Sequence, residues 1–224
     1  MRNTLVATLR AVLCLALPAA VGLVVLRTPL VQLVFQRGAY TETSTHLVAA
    51  ALALYALGLP AHCIVEIAVR AFYAMHDTKS PVAAGVAAMG LNVALSLAFL
   101  AVFDAAGWLP HSGLALSNSL ATTAEMAALI ALLRRRLEGL EGRRVAGSLA
   151  RMAISATVMA GTSGVTFRLL TGANIWLAAG GAILIVVASY VGISVALGSS
   201  EPSAMWDILR SRRRTASRDP LDGP

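Results

Sequence analysis

Charged residues are scarce in this sequence, and those present are clustered. Only 13% of the 224 residues are Asp, Glu, Lys or Arg, whereas 58% are hydrophobic. Soluble globular domains carry about a quarter charged residues. Between the charged clusters lie apolar runs of roughly 20 residues, the length that crosses the hydrocarbon core of a bilayer. The composition therefore excludes an ordinary soluble domain and predicts an all-α integral membrane protein.

The sequence also lacks the patterns of enzymes and metal proteins. Its two cysteines, Cys14 and Cys63, lie inside apolar runs, which is typical of small core residues and not of a disulfide. The four histidines have no metal-ligand spacing. A nucleophile elbow, a phosphate-binding loop, a zinc-protease motif and paired carboxylates are all missing. We therefore expect no enzymatic activity and no cofactor.

Six apolar runs predict six transmembrane helices. They cover, approximately, residues 11–26, 47–75, 81–103, 113–133, 152–167 and 175–197. Pro18 is expected to break the first span. The second span is too long for an upright helix and holds Gly58 and Pro60, so we expect a kink or a tilt there. Ser80 is expected to cap the third span, with Pro81 at its first helical position. Residues 1–136 thus hold four spans, 145–198 a final pair, and 199–224 a basic tail.

Lys and Arg are distributed unevenly over the two sides of this arrangement. An even number of spans puts both termini on one side, and that side receives fifteen of the 18 basic residues. The other side receives three, which are Arg27, Arg37 and Arg168. The positive-inside rule therefore predicts both termini in the cytoplasm of a multi-pass plasma-membrane protein. Because the basic residues flank spans, the net charge of +7 predicts contact with anionic lipid headgroups and no nucleic acid.

Three residues that carry a full charge at neutral pH lie within the predicted spans. Glu66 and Arg70 are four residues apart on the second span, so they can pair on one helix face. Glu125 stands alone in the fourth span. Ionisable groups at membrane depth are costly and often mark a transport path. Two interpretations of the pair stay open: a structural intrahelical ion pair near a helix end, or side chains that face a path.

Several stretches resemble the MurJ/MviN family. The first is "LPAAVGLVVLRTPLVQLVFQRGAYTETSTHLVAAALALYALGLP", followed by "RAFYAMHDTKSPV" and "LNVALSLAF". The order and spacing of the FQRGAY turn, the YALGLP segment and the RAFYAxxDTxxPV turn are similar to those of the family. The resemblance implies spans nine to fourteen of a fourteen-span protein. The six helices would then form a partial C-terminal lobe plus two final helices.

The resemblance implies a function in peptidoglycan synthesis. Members of the family are lipid II flippases within the multidrug/oligosaccharidyl-lipid/polysaccharide exporter superfamily. They move an undecaprenyl-linked peptidoglycan precursor from the cytoplasmic to the outer leaflet of the bacterial inner membrane. The implied partners are the bilayer, this precursor and an N-terminal lobe carrying spans one to eight. Glu66, Arg70 and Glu125 are then the candidates for the substrate path.

The resemblance also implies a position for a sodium site. Asn92 and Ser96 correspond to a ligand pair of span eleven, and Asn118 corresponds to a span-twelve residue. Ser96 stands where the family has an acidic ligand, so these three residues are expected to be sodium-site remnants. Hard cations prefer several oxygens, carboxylates among them. The resemblance leaves two candidates for the driving force, a sodium gradient and the membrane potential, and the sequence does not decide between them.

Three functions remain as alternatives at this point. In the first, the chain is a fragment or one half of a split lipid II flippase. In the second, it belongs to a small-molecule or drug exporter of the same superfamily. In the third, it is a non-transporting membrane scaffold or the product of a decayed gene.

Overall fold

The computed structural model describes residues 2–35, 41–105, 107 and 110–136, together with the isolated positions 161, 188 and 192. These residues form five helices: α1 (Arg2–Val25), α2 (Arg27–Phe35), α3 (Glu42–Ala74), α4 (Lys79–Ala105) and α5 (Pro110–Arg136). Apart from the isolated positions, the predicted fifth and sixth spans and the basic tail lie outside the described residues.

Four of the helices are long and apolar enough to cross a membrane: α1, α3, α4 and α5. They coincide with the first four predicted spans, so the all-α membrane architecture is confirmed. All four helices begin earlier than predicted, because apolar runs mark only the part of a helix that lies in hydrocarbon. At α3, for example, the Thr41 side chain accepts from the Ser44 N–H and caps the helix several residues before the apolar run.

Two prolines lie inside these helices. The prediction that Pro18 breaks the first span is wrong, since α1 is continuous from Arg2 to Val25. Helix α3 likewise continues through Gly58 and Pro60. Proline removes one backbone donor, but in membrane helices neighbouring groups can satisfy the freed carbonyl. A proline is therefore a weak boundary signal in this chain.

The spanning helices pack in the order α1, α3, α5, α4. Helix α5 lies between α3 and α4 and contacts both along their lengths, while α1 and the short α2 pack on α3. Helices α3 and α4 scarcely touch each other. This order leaves a groove between α3 and α4 with α5 at its base.

Small residues occupy most of the buried positions of α3 and α5, which pack on each other and also on α1 and α4 respectively. The buried positions of α3 include Ala49, Ala56, Gly58, Ala61 and Ala68. Those of α5 include Ala115, Ser117, Ser119, Ala121 and Thr122. Between membrane helices there is little hydrophobic driving force, because lipid tails are as apolar as leucine side chains. Small side chains let the backbones approach and gain van der Waals contact instead.

Larger side chains fill one end of the same interface. Phe72, Leu129 and Leu133 are fully buried around Ala68, near the turn that joins α3 and α4. Their burial fixes the C-terminal halves of α3 and α5 side by side. It also places the end of α5 beside the α3–α4 turn.

The α3–α4 turn begins with a Schellman motif. His76 adopts a left-handed conformation with φ of 57°. Its N–H donates to the carbonyl of Tyr73 at 3.0 Å, and the N–H of Asp77 donates to the carbonyl of Phe72 at 3.0 Å. These two bonds satisfy carbonyls that the end of a helix leaves free. The chain thereby reverses direction within four residues.

Asp77 caps helix α4, which corrects the predicted cap. Helix α4 begins at Lys79, so Ser80 is its second residue and Pro81 its third. The Ser80 N–H donates to Asp77 Oδ1 at 3.0 Å, and Ser80 Oγ donates to Asp77 Oδ2 at 2.6 Å. The prediction failed because a carboxylate three residues earlier is the better acceptor for the free N–H groups.

The same carboxylate binds the end of α5. Asp77 Oδ2 lies 2.7 Å from a guanidinium nitrogen of Arg136, and the Asp77 side chain is only 10% exposed. The hydrogen bonds from Ser80 chiefly, and the Arg136 charge in addition, hold the pKa of Asp77 below its ordinary value of 3.8, although partial burial opposes this. Asp77 thus ties three helix ends together.

We predict that the Asp77 carboxylate contributes stability that is lost in acid. The folded-state pKa is lowered, so the contribution is complete at neutral pH and disappears as the pH falls below 3.8 towards the folded-state value. Asp77→Asn should lower the melting temperature of the purified chain in detergent at pH 7 and should remove part of the acid-dependent loss. Circular dichroism followed through heating at a series of pH values measures both.

The matched control is Asp104→Asn, since Asp104 is exposed near the end of α4. It should leave the melting curve at each pH close to that of the unchanged chain. Equal pH profiles for Asp77→Asn and the unchanged chain would contradict the assignment.

Candidate functional site

A hydrogen-bonded cluster joins the central part of α4 to the first third of α5. Asn92 Oδ1 accepts from Ser96 Oγ at 3.3 Å and from Ser117 Oγ at 3.1 Å. The two serine hydroxyls are 2.7 Å apart, and Ser117 Oγ also lies 2.8 Å from the carbonyl of Leu114. Two hydroxyl protons are shared among these acceptors, so the three side-chain oxygens of the cluster satisfy one another.

This cluster bears on the predicted sodium-site remnants. The structure brings Asn92 and Ser96 together, but their third partner is Ser117 and not Asn118. Among the described residues, no group of three or more His, Cys, Asp or Glu side chains could hold a metal ion. The side chains of Asn92 and Ser96 therefore stitch two helices together in this structure.

A second polar contact crosses the α3–α5 interface. Ser119 Oγ donates to the carbonyl of Leu54 at 2.6 Å. Gly58 makes this approach possible, because a Cβ at that position would lie 2.7 Å from Ser119 Oγ and 3.0 Å from Ser119 Cα. One turn further along, Thr122 Oγ1 lies 3.3 Å from His62 Nε2.

Ionisable side chains follow one exposed face of α3. His62, Glu66 and Arg70 succeed one another at four-residue intervals and are all exposed. A guanidinium nitrogen of Arg70 lies 3.6 Å from Glu66 Oε2, and the two side chains are 80% and 72% exposed. Tyr55 and Tyr73, also about half exposed, continue the same face in the two directions. We call His62, Glu66 and Arg70 the ionisable stripe.

The ionisable stripe begins at membrane depth. With a rise of about 1.5 Å per residue, His62 lies about 18 Å, Glu66 about 12 Å and Arg70 about 6 Å from the Ala74 end of α3. The Asp77–Arg136 contact puts the end of α5 at the same level. Glu125 is then about 16 Å from that end and close to the depth of His62.

Glu125 and His62 line the groove between α3 and α4. This groove has a volume of about 250 Å³, and its other polar lining residues are Asn92, Asn118 and Thr122. We call it the midplane groove. It therefore collects a carboxylate, an imidazole, two amides and a hydroxyl, supplied by all three helices.

A second groove lies between α1 and α3, closer to the α3–α4 turn. Its volume is about 390 Å³, and Thr4, Leu5, Thr8, Ile67 and Arg70 line it. Arg70 thus lines this groove and is also a member of the ionisable stripe. Within the described part of the chain, the Arg70 guanidinium is the one charged group that lines this groove.

Comparison with known proteins identifies the family. The family model described as lipid II flippase MurJ matches residues 1–197. The chain belongs to the MurJ family.

The matching relatives are considerably longer than this chain. A probable lipid II flippase MurJ of Rhizobium tropici is 30% identical over 221 residues, which cover 93% of this chain and 39% of the relative. One of Vibrio cholerae is 31% identical over 201 residues, covering 85% of this chain and 36% of the relative. The chain thus spans less than half the length of these MurJ-family proteins.

A solved structure supports the fold. The inward closed conformation of a lipid II flippase MurJ superposes with a TM-score of 0.69 over 88% of this chain and 42% of that structure. The sequences are 21% identical in this alignment, so the likeness concerns the fold.

Within this MurJ-family chain, the candidate residues from the sequence fall in different places. Glu66 and Arg70 lie together on the exposed face of α3, and Glu125 lies in the midplane groove with Asn118. Sequence reasoning assigned no role to Ser117, although the run Ser-Asn-Ser at 117–119 offers a hydroxyl to each neighbouring helix. Sequence reasoning did not place His62 among the candidates for the substrate path, although its four-residue spacing from Glu66 and Glu66's from Arg70 are visible in the sequence.

We predict that Gly58→Ala destabilises the α3–α5 interface. The added methyl would meet Ser119 at 2.7–3.0 Å, including its backbone, so the helices would have to separate. Overpacking of this kind typically costs about 1–3 kcal/mol. The measurement is the melting temperature of the purified chain in detergent.

The matched control is Gly90→Ala on α4, where an added Cβ meets nothing within 4 Å. It should be neutral or stabilising, because alanine is the better helix former by about 1 kcal/mol. A Gly58→Ala chain that melts at the temperature of Gly90→Ala would show that the close approach is unnecessary.

Proposed function

We propose that this chain forms part of a lipid II flippase and that the exposed face of α3 lines its substrate path. The relatives it matches carry that function in their names, and the family model covers most of the chain. Independent support for the proposal comes from the ionisable stripe, because His62, Glu66 and Arg70 lie exposed on a helix long enough to cross a membrane.

The cost of placing charge in hydrocarbon explains why the stripe indicates a path. A charged side chain at the bilayer centre costs at least about 2.5–3.5 kcal/mol on insertion scales. Glu66 and Arg70 are 3.6 Å apart and largely exposed, so their mutual attraction leaves most of both groups unshielded. A face that carries them is therefore better placed against water or polar protein than against lipid tails.

The opposite character of α4 supports this assignment. Between Lys79 and Asp104, which are exposed near its two ends, the exposed side chains of α4 are apolar. They include Val82, Val86, Met89, Val93 and Leu97. Such a face suits contact with lipid or with another apolar helix. The chain thus presents a polar side on α3 and an apolar side on α4, as expected for one wall of a path through a membrane.

A flippase also needs a second wall. Transport of a polar headgroup by alternating access requires two bodies that rock against each other around a site near the bilayer midplane. Because the chain spans 36–39% of its relatives, we assign the opposing wall to the part of those proteins that it does not match. Flipping is then a property of the whole assembly, and this chain contributes one wall.

We further propose that the α3–α4 turn faces the cytoplasm. The proposal rests on the excess of Lys and Arg on that side, which includes Lys79 and the run Arg134–Arg136 at the end of α5. The basic end of α5 is also favourably placed for its helix dipole.

Thiol labelling tests this orientation. In a background without Cys14 and Cys63, Thr78→Cys places a thiol in the α3–α4 turn and Ala105→Cys places one at the opposite end of α4. Both positions are exposed. A membrane-impermeant maleimide added to intact spheroplasts should label residue 105 and should label residue 78 only after lysis. The reverse pattern, or equal labelling, would refute the orientation.

A chimera tests the function. Residues 1–224 would replace the matching segment of the Vibrio cholerae relative, and the chimera would be expressed in cells depleted of their own flippase. We expect growth to be restored. Glu66→Gln, Arg70→Gln and the double substitution would then be compared at equal expression.

The double substitution separates the two interpretations of the pair. If Glu66 and Arg70 face the path, the double variant should grow no better than the worse single variant. If they serve only each other, removing both should restore the growth that one unpaired charge abolishes. Tyr73→Phe, on the same exposed face, removes a hydroxyl without charge and is the control for general damage. Rescue by the double variant would discard the path assignment.

A further inference from the structure

Glu125 places an unpartnered carboxylate near the middle of the membrane. Within the part of the chain that the structure describes, Glu125 makes no hydrogen bond and no ion pair. It is half-buried and lies about 16 Å from the Arg136 end of α5. An ionised carboxylate in such a place is strongly unfavourable unless a positive group approaches it.

The geometry of the midplane groove leaves room for that group. A Cβ at Gly85 would lie 3.5 Å from Glu125 Oε1, so the carboxylate rests close to the backbone of α4 without being covered by it. Asn118 and Thr122 line the groove on the same helix as Glu125. Ala88 and Met89 of α4 provide an apolar wall opposite these acceptors.

We infer that the midplane groove binds a primary alkylammonium group. An ammonium carries three N–H donors and no acceptor, which matches a carboxylate flanked by a hydroxyl and an amide oxygen. Its methylene groups would pack on Ala88 and Met89. A volume of about 250 Å³ admits an aminoalkyl chain, whereas a bare ion would leave most of the groove to water.

The chemistry of the lining favours an ammonium over a metal ion. Among the described residues that line the groove, only Glu125 carries a carboxylate, and the Asn92 amide oxygen already accepts two serine hydroxyls. Hard metal ions prefer several carboxylate or carbonyl oxygens. An anion such as a phosphate is unsuited, because the Glu125 charge would repel it.

The assignment of this ammonium to the transported headgroup rests on the proposed function, whereas the binding itself does not. Sites near the bilayer midplane are where transporters of this general design hold their substrates. The midplane groove would then contact an amine of the headgroup while the ionisable stripe contacts another part of it.

Protection from a carbodiimide tests the binding directly. The 224-residue chain in lipid nanodiscs is treated with dicyclohexylcarbodiimide, which reacts with carboxyl groups in the membrane, and the Glu125 peptide is quantified by mass spectrometry. The probes are n-pentylammonium chloride, the neutral isostere n-pentanol, and sodium chloride at matched ionic strength. At ten times its dissociation constant, pentylammonium should lower Glu125 modification about tenfold.

Pentanol and sodium should leave Glu125 modification unchanged, and pentylammonium should leave Glu66 modification unchanged. Protection by pentanol to the same degree would show a merely apolar groove, and protection by sodium would show a simple cation site. Either result overturns the inference. So does modification of Glu125 that is insensitive to pentylammonium, or a carboxyl group that the reagent does not reach.

The source of the ammonium is tested in the chimera. Glu125→Gln should abolish rescue while Glu125→Asp, which keeps the charge, should restore part of it. If pentylammonium protects Glu125 in nanodiscs but cells with the Glu125→Gln chimera grow normally, the assignment of the ammonium to the headgroup is overturned. Failure of the unsubstituted chimera would count against the proposed function and would leave the nanodisc result standing.

Discussion

The close approach of α3 and α5 is the constraint on which the rest of the structure depends. At Gly58 the two backbones come so near that a single added methyl group would collide with Ser119. Further along α3, Ala68 is also buried and packs with Leu129 and Leu133 of α5. In a bilayer, where apolar side chains gain little by leaving lipid, such contact is a main source of helix association.

Several polar contacts follow from this distance. Ser119 reaches the carbonyl of Leu54 because the helices are close, and Thr122 reaches His62 one turn later. On its other side, α5 presents Ser117 to Asn92 and Ser96 of α4. Helix α5 is therefore hydrogen-bonded to both neighbours, and measured bonds of this kind in membranes average about 0.6 kcal/mol each. In this structure these hydrogen bonds fix the rotation of α5 about its own axis as much as they stabilise the packing of the helices.

The spans of the described region were predictable from the sequence because long apolar runs have one stable form in a bilayer. The interfaces were not, because they depend on which small residues meet across distances of many residues. Ser117 and Asn92 are 25 positions apart, and only the packing of α4 on α5 joins them. The Asp77–Arg136 contact is a similar case, since the ionic partner of a turn residue cannot be read from local spacing. Ser80 was a plausible cap by type, and a stronger acceptor three residues earlier took its place.

The candidate site shows the same division between local and tertiary information. The spacing of Glu66 and Arg70 predicted their pairing, which the structure contains at 3.6 Å. Neither spacing nor composition placed Glu125 at the depth of His62, because that depends on the relative heights of α3 and α5. Those heights are set at one end by Phe72, Leu129 and Leu133 and by the tie from Asp77 to Arg136. The contacts near the turn therefore determine which polar groups meet near the membrane centre. A substitution at Asp77 that shifts α5 would also move Glu125 relative to His62 in the midplane groove.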